Sequence, residues 1–254
     1  MNTHTRTNRT KVPMDPMRKT ALVAGLLYIA TFVFSIPAAF GFYDSVLHNH
    51  QFVLGAGSEQ GVLWGGLFEI ITGLAGIGTA VVLYPVAKRY SQTGAIGFVA
   101  SRVLESAIIF MGVVSLLSVV TLRQDLAGTH APGLVTVAQS LVAVKNWTFL
   151  LGPGILPAVN AIFLGTVMYR SRLVPRIIPT LGLIGAPLLF ASSIGNLFGL
   201  HDQVSSSAAL MTLPIAAWEL SLGIWMTVKG FKAVPPTEEA PVVSGTPAYS
   251  GTAA

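Results

Sequence analysis

The stretch Ser101-Arg102-Val103-Leu104-Glu105 sets an arginine and a glutamate three residues apart. It lies inside a run, about residues 95–122, that is otherwise dominated by Ile, Val, Leu, Phe, Met and Gly. A helix with that spacing carries both charges on one face. About 20 apolar residues are enough to cross a bilayer as a helix. Charges within such a segment are costly and face a bundle interior or a water-filled cavity. The stretch therefore reads as part of a membrane-spanning helix whose charged face is turned toward other helices.

Working outward, Lys88-Arg89 closes a preceding apolar run at about 61–86, and a further run covers about 20–40. Beyond the central stretch come runs at about 147–168, 177–200 and 208–228. The expected fold is all-α, a six-helix transmembrane bundle over residues 18–232. Residues 1–17 and 233–254 are expected to be disordered cytoplasmic tails, since they are polar or rich in Pro, Gly, Ser and Thr. Ala39-Phe40-Gly41 has the small-x-small form of a signal cleavage site. The run before it exceeds the usual 7–15 residues of a signal core, and more spans follow, so it is read as an uncleaved helix. In residues 134–145, Leu134, Val137, Ala138, Leu141 and Val142 recur at helical spacing. That piece is too short to span and is expected to lie at the interface or to extend the next helix.

Charged residues make up 10% of the chain and apolar ones 52%, against about a quarter charged in soluble domains. The absence of cysteine removes disulfides, thiolate metal sites and cysteine nucleophiles. The net charge of +5 does not mark a nucleic-acid binder, because Lys and Arg sit at the ends of apolar runs rather than in one patch. The lipid bilayer is the partner this distribution fits. Placing both termini in the cytoplasm puts every Lys and Arg there except Arg102 within the membrane and Arg123 and Lys145 outside it. The positive-inside rule prefers that arrangement, a multi-pass protein of the cell membrane with both termini cytoplasmic.

The Arg102-Val-Leu-Glu105 pair, the junction Tyr169-Arg-Ser-Arg-Leu-Val-Pro-Arg176 running on into Ile177-Ile-Pro-Thr-Leu-Gly182, and Trp218-Glu219 followed by Gly223 and Trp225 together show a resemblance. The chain resembles bacterial membrane proteins of domain-of-unknown-function family 4386 over roughly residues 18–232. The resemblance implies a multi-helix bacterial membrane protein and supplies no activity.

Four ionisable residues fall within the expected spans: Glu69, Arg102, Glu105 and Glu219. With a rise of about 1.5 Å per residue, Arg102 lies about 12 Å from the cytoplasmic end and Glu105 and Glu219 about 15–16 Å from it. These three are expected to meet, with Arg102 contacting one or both glutamates. One arginine neutralises one glutamate, so the second must be protonated, hydrated or matched to a ligand cation. Glu69 is placed about 12 Å from the opposite surface. Gly61, Gly65 and Gly73 share its helix face, and Ala216 and Gly223 share that of Glu219, which suits close packing or leaves room for a ligand. Gly152-Pro153-Gly154 and Pro157 predict a break in the fourth span. Carbonyls freed there, with Glu69, Asn160 and Asn196, are expected to form an oxygen-rich pocket for a cation or hydroxylated solute.

His48, His50, His130 and His201, with Asp44 and Asp202, share no metal-binding motif, and no metal or cofactor is expected. Hydrolase, P-loop and dinucleotide fingerprints are absent. The expected function is binding or passage of a small solute or proton through a polar interior. Its rivals are a structural or regulatory membrane protein with a purely stabilising ion pair, and a membrane-embedded enzyme acting on lipid. A water-accessible cavity reaching Glu105 and Glu219 favours the first, a dry pair the second, and a lateral opening to lipid beside a carboxylate the third. The oligomeric state is not set by the sequence.

Overall fold

The structure, a computed structural model, describes residues 14–128 and 133–232. Most of the two expected tails and His130 lie outside the described residues. The first helix, α1 (Pro16–Pro37), begins within the stretch read as a tail. Asp15 accepts a hydrogen bond from the Arg18 amide at 3.2 Å, and Pro16 opens the helix where its missing N–H costs nothing. Just after Pro37 the helix widens into a π turn, Ala38–Phe42. A short α2 (Asp44–Leu47) follows, then α3 (Glu59–Ala87) and α4 (Gln92–Asp125).

Leu134 to Lys145 is not a separate interfacial piece. It is the start of α5 (Leu134–Leu151), continuous with the run expected to begin at 147. Gly152, at φ −78° and ψ −92°, leaves the helical conformation and breaks the span. The chain resumes as α6 (Leu156–Asn160), a π turn Ala161–Gly165, and α7 (Thr166–Ser171). Pro157 sits in the first turn of α6, where no donor is needed. α8 (Ile177–Leu197) and α9 (Ser206–Val228) follow. Counting α5–α7 as one broken span, six helical stretches among the described residues are long and apolar enough to cross a membrane.

The six spans close into a ring. α3 packs on α1 and α4, α4 on α5, and α9 on α1 and α8, while α6 and its π turn bridge α4 to α8. Two crossings are backbone-close. A side chain at Gly25 of α1 would lie 2.6 Å from the Thr227 amide nitrogen, and one at Gly185 of α8 would lie 2.7 Å from that of Ile215 in α9.

Each end is tied. Arg18 donates to the carbonyls of Met226 and Thr227 at 2.9 and 2.6 Å, answering acceptors that the last turn of α9 leaves free. The Lys232 amide donates to the Leu173 carbonyl at 2.8 Å. At the opposite end Arg123 donates to the carbonyls of Phe52, Gly55, Ala56 and Gly57 at 3.0–3.2 Å. The start of α1, the end of α9 and the 172–176 turn thus share one end, with the 43–58 loop at the other.

Candidate functional site

Arg102 is the hub of the interior. Its position on α4 turns it inward, with 4% of its surface exposed. Nη1 donates to Glu105 Oε2 at 3.0 Å, one helical turn along α4, and Nη2 donates to Glu219 on α9. The expected contact with the glutamates is thus made to both. The guanidinium also lies over the Tyr28 ring, 5.1 Å from its centroid. Asn160 donates from Nδ2 to Glu105 Oε2 at 2.6 Å and accepts from the Ser101 hydroxyl at 2.5 Å. A guanidinium, two carboxylates and an amide therefore form one network drawn from α4, α6 and α9.

The network borders a cavity of about 190 Å³. Every span contributes to its wall: Thr31 from α1, Thr72 from α3, Arg102 and Glu105 from α4, Pro153 from the broken span, Leu189 from α8 and Glu219 from α9. A water takes about 30 Å³ in the liquid, so the space suits a few waters or a small solute. Its position inside the ring makes it the centre of the bundle.

The pocket expected around Glu69, Asn160 and Asn196 does not form. Asn160 is drawn to Glu105. The carbonyl of Gly154 at the break is answered by the Ser193 hydroxyl at 2.7 Å, and the Asn196 amide donates to the His201 carbonyl at 2.9 Å. Glu69 instead meets Lys145, whose Nζ lies 2.5 and 2.6 Å from its two oxygens, while the Tyr43 hydroxyl donates to Oε2 at 2.9 Å. Lys145 is 5% exposed and thus belongs to the interior of the bundle rather than to a solvated loop. The glycines beside Glu69 serve this packing: a side chain at Gly65 would strike the Tyr43 ring, and one at Gly73 the Phe110 ring. On α4, Gly112 leaves room for the Lys145 stem, whose Cδ would lie 3.1 Å from an added Cβ.

Lys145 is the interior residue that sequence reasoning missed. Leu134, Ala138, Leu141, Lys145 and Thr148 follow one another at three- and four-residue steps, so the lysine shares the apolar stripe of α5. That signal was present. Among the histidines, His48 pairs with Asp44 at 3.0 Å and His50 with Gln139 at 2.9 Å, all exposed. No group of three metal-ligating side chains occurs among the described residues.

Residues 23–230 match the family described as Domain of unknown function (DUF4386). The chain belongs to that family. Neither a curated protein nor a solved structure matches it. The span shared with DUF4386 takes in both buried charge networks, the helix break and the Tyr169–Arg176 junction. In this member of DUF4386 the junction turns on Arg172, which adopts a left-handed φ of 56° as the residue capping α7.

Proposed function

We propose that this DUF4386 protein binds or passes a small solute or a proton through the polar interior of its bundle. The observation that carries the reading is the central cavity itself, walled by all six spans, where two carboxylates face one guanidinium. A register-fixing ion pair needs one charge of each sign and no cavity. The surplus carboxylate leaves a place for a proton or a cationic ligand, in a position where charges otherwise cost several kcal/mol.

The setting that fits is a cell membrane with both termini cytoplasmic. Lys19, Lys88, Arg89, Arg170, Arg176 and Lys229 all border the end that carries the start of α1 and the end of α9, whereas Arg123 binds the loop at the other end.

Proteoliposomes enclosing a pH-sensitive dye test the reading. Under an imposed potential, wild-type protein should dissipate a pH gradient or exchange a small solute faster than empty vesicles, and Glu219→Gln should abolish the difference. Glu219→Gln vesicles that match the wild type would sink it, as would wild-type vesicles that match empty ones. A structural reading also has an observation in its favour, since Arg102 is engaged with both glutamates. It expects Glu219→Gln to lower the melting temperature in detergent with no flux to lose.

A further inference from the structure

The central cavity adjoins a larger one of about 400 Å³ between α8, α9 and the broken span. Pro153, Leu189 and Thr212 line both. The larger cavity extends to His201, Gln203 and Ser205 in the loop between α8 and α9, at the end away from the start of α1. The break in the fourth span accounts for it. Before the break α5 packs on α4, and after it α6 and the π turn reach α8, so the ring is parted beside α8 and α9 above residue 153.

Several hydroxyls of this wall are already committed. The Ser193 hydroxyl spends its hydrogen on the Gly154 carbonyl and Thr212 on that of Ala208, at 2.7 and 2.8 Å. In the central cavity Thr31 donates to Tyr28, Thr72 to Phe68 and Ser106 to Gly73 in the same way, at 2.7–2.9 Å. A hydroxyl whose one hydrogen is committed offers only its lone pairs to a ligand. The residues lining the outer cavity include no Lys or Arg, and His201 is their one titratable side chain. At the inner end stand Glu105 and Glu219, with Arg102 occupied by both. Asn196, Gln203 and Ser192 offer donors as well as acceptors along the way, so net charge rather than hydrogen bonding sets the preference. The outer path carries no Lys or Arg, and two carboxylates against one guanidinium close it, which favours a small cation over an anion.

We propose that the outer cavity is the access route by which a small ammonium-type cation reaches Glu105 and Glu219, with Pro153, Leu189 and Thr212 as the threshold. This deepens, and rests on, the reading of the central cavity as a binding or passage site.

The chain has no cysteine, so a single introduced thiol reports on one position. Thr212→Cys lies at the threshold, Ala209→Cys lies in the outer cavity alone, and Leu200→Cys, at a residue 78% exposed, is the surface control. Reaction rates with a trimethylammonium-ethyl thiosulfonate reagent and its anionic sulfonate counterpart are compared in reconstituted protein. The cation-to-anion rate ratio at Thr212→Cys should exceed that at Leu200→Cys by about tenfold, the lower range of enrichment for a cleft of one charge sign. Methylammonium chloride should slow the labelling at Thr212→Cys and not at Leu200→Cys. Should Thr212→Cys fail to fold, Ala209→Cys reads the same ratio. Equal ratios at cavity and surface, or an unreactive thiol in folded protein, would overturn the route. Labelling needs no flux, so the two readings separate. A cation-selective cavity with flux indifferent to Glu219→Gln removes the functional reading alone, and an unselective cavity with Glu219-dependent flux removes the route alone.

Discussion

At Lys145 the ammonium touches both oxygens of Glu69 and stands 4.9 Å from the centre of the Tyr43 ring. The pair is separate from the Arg102 network and, with one charge of each sign, is balanced where that network is not. Its two members are 5% and 6% exposed, so solvent does little to screen them. Removing one partner strands the other, and Lys145→Met should cost about 3–5 kcal/mol. Adding Glu69→Gln to it should restore part of the loss, giving a coupling of about 1–3 kcal/mol in a double-mutant cycle read from unfolding in detergent. Strictly additive losses would mean that the pair contributes no coupling energy. The partners of Arg102 were legible in the sequence because depth along two helices follows from counting residues. The partner of Glu69 was not, because an interfacial piece and an extension of the next helix fit residues 134–145 equally well, and only the second, seen as α5, places Lys145 inside the bundle.

At several crossings a glycine lies against a neighbouring backbone, and these glycines rank by what a methyl group would strike. At Gly185 an added Cβ falls 2.7 Å from the Ile215 nitrogen and 3.0 Å from the Pro214 carbonyl carbon, both main-chain atoms that cannot turn aside. At Gly66 the nearest atom is a Leu117 methyl at 3.5 Å, an ordinary contact. Gly185→Ala should therefore part α8 from α9 and destabilise by more than the roughly 1–3 kcal/mol usual for overpacking. Gly66→Ala should be neutral or mildly stabilising, as alanine favours a helix by about 1 kcal/mol over glycine. Melting temperatures of the two variants check the ranking, and equal shifts would contradict it. The broken span shows where reading by element stops. Gly152-Pro153-Gly154 and Pro157 announced the interruption, since a proline in a helix removes a donor and crowds the turn before it. Which neighbour would answer the freed groups depended on α8, whose Ser193 reaches Gly154 across 39 positions of sequence.

Across the whole molecule the ring is closed by its first and last spans. α1 and α9 pack together, Gly25 lies against Thr227, and Arg18 holds the α9 carbonyls. This closure turns six apolar helices into a wall around a polar centre, and it brings the start of the first span to the end of the last. Apolar length gave the number of spans, whereas their order around the ring rested on close contacts such as Gly25–Thr227 that no periodicity encodes. The closed ring also fixes which loops share a side. Tyr90, in the turn between α3 and α4, belongs to the end that carries Arg18, while Leu200, between α8 and α9, belongs to the other; both are exposed. Neither substitution alters a Lys or Arg, so Tyr90→Cys and Leu200→Cys leave the charge bias that sets orientation intact. In sealed cells an impermeant thiol reagent should label Leu200→Cys from outside and reach Tyr90→Cys only after the membrane is opened. Labelling of both without permeabilisation would show that 90 and 200 lie on one side, which a ring of six full spans cannot allow. Labelling in the reverse order would keep the ring and invert it, placing the Lys- and Arg-rich end outside against the positive-inside rule.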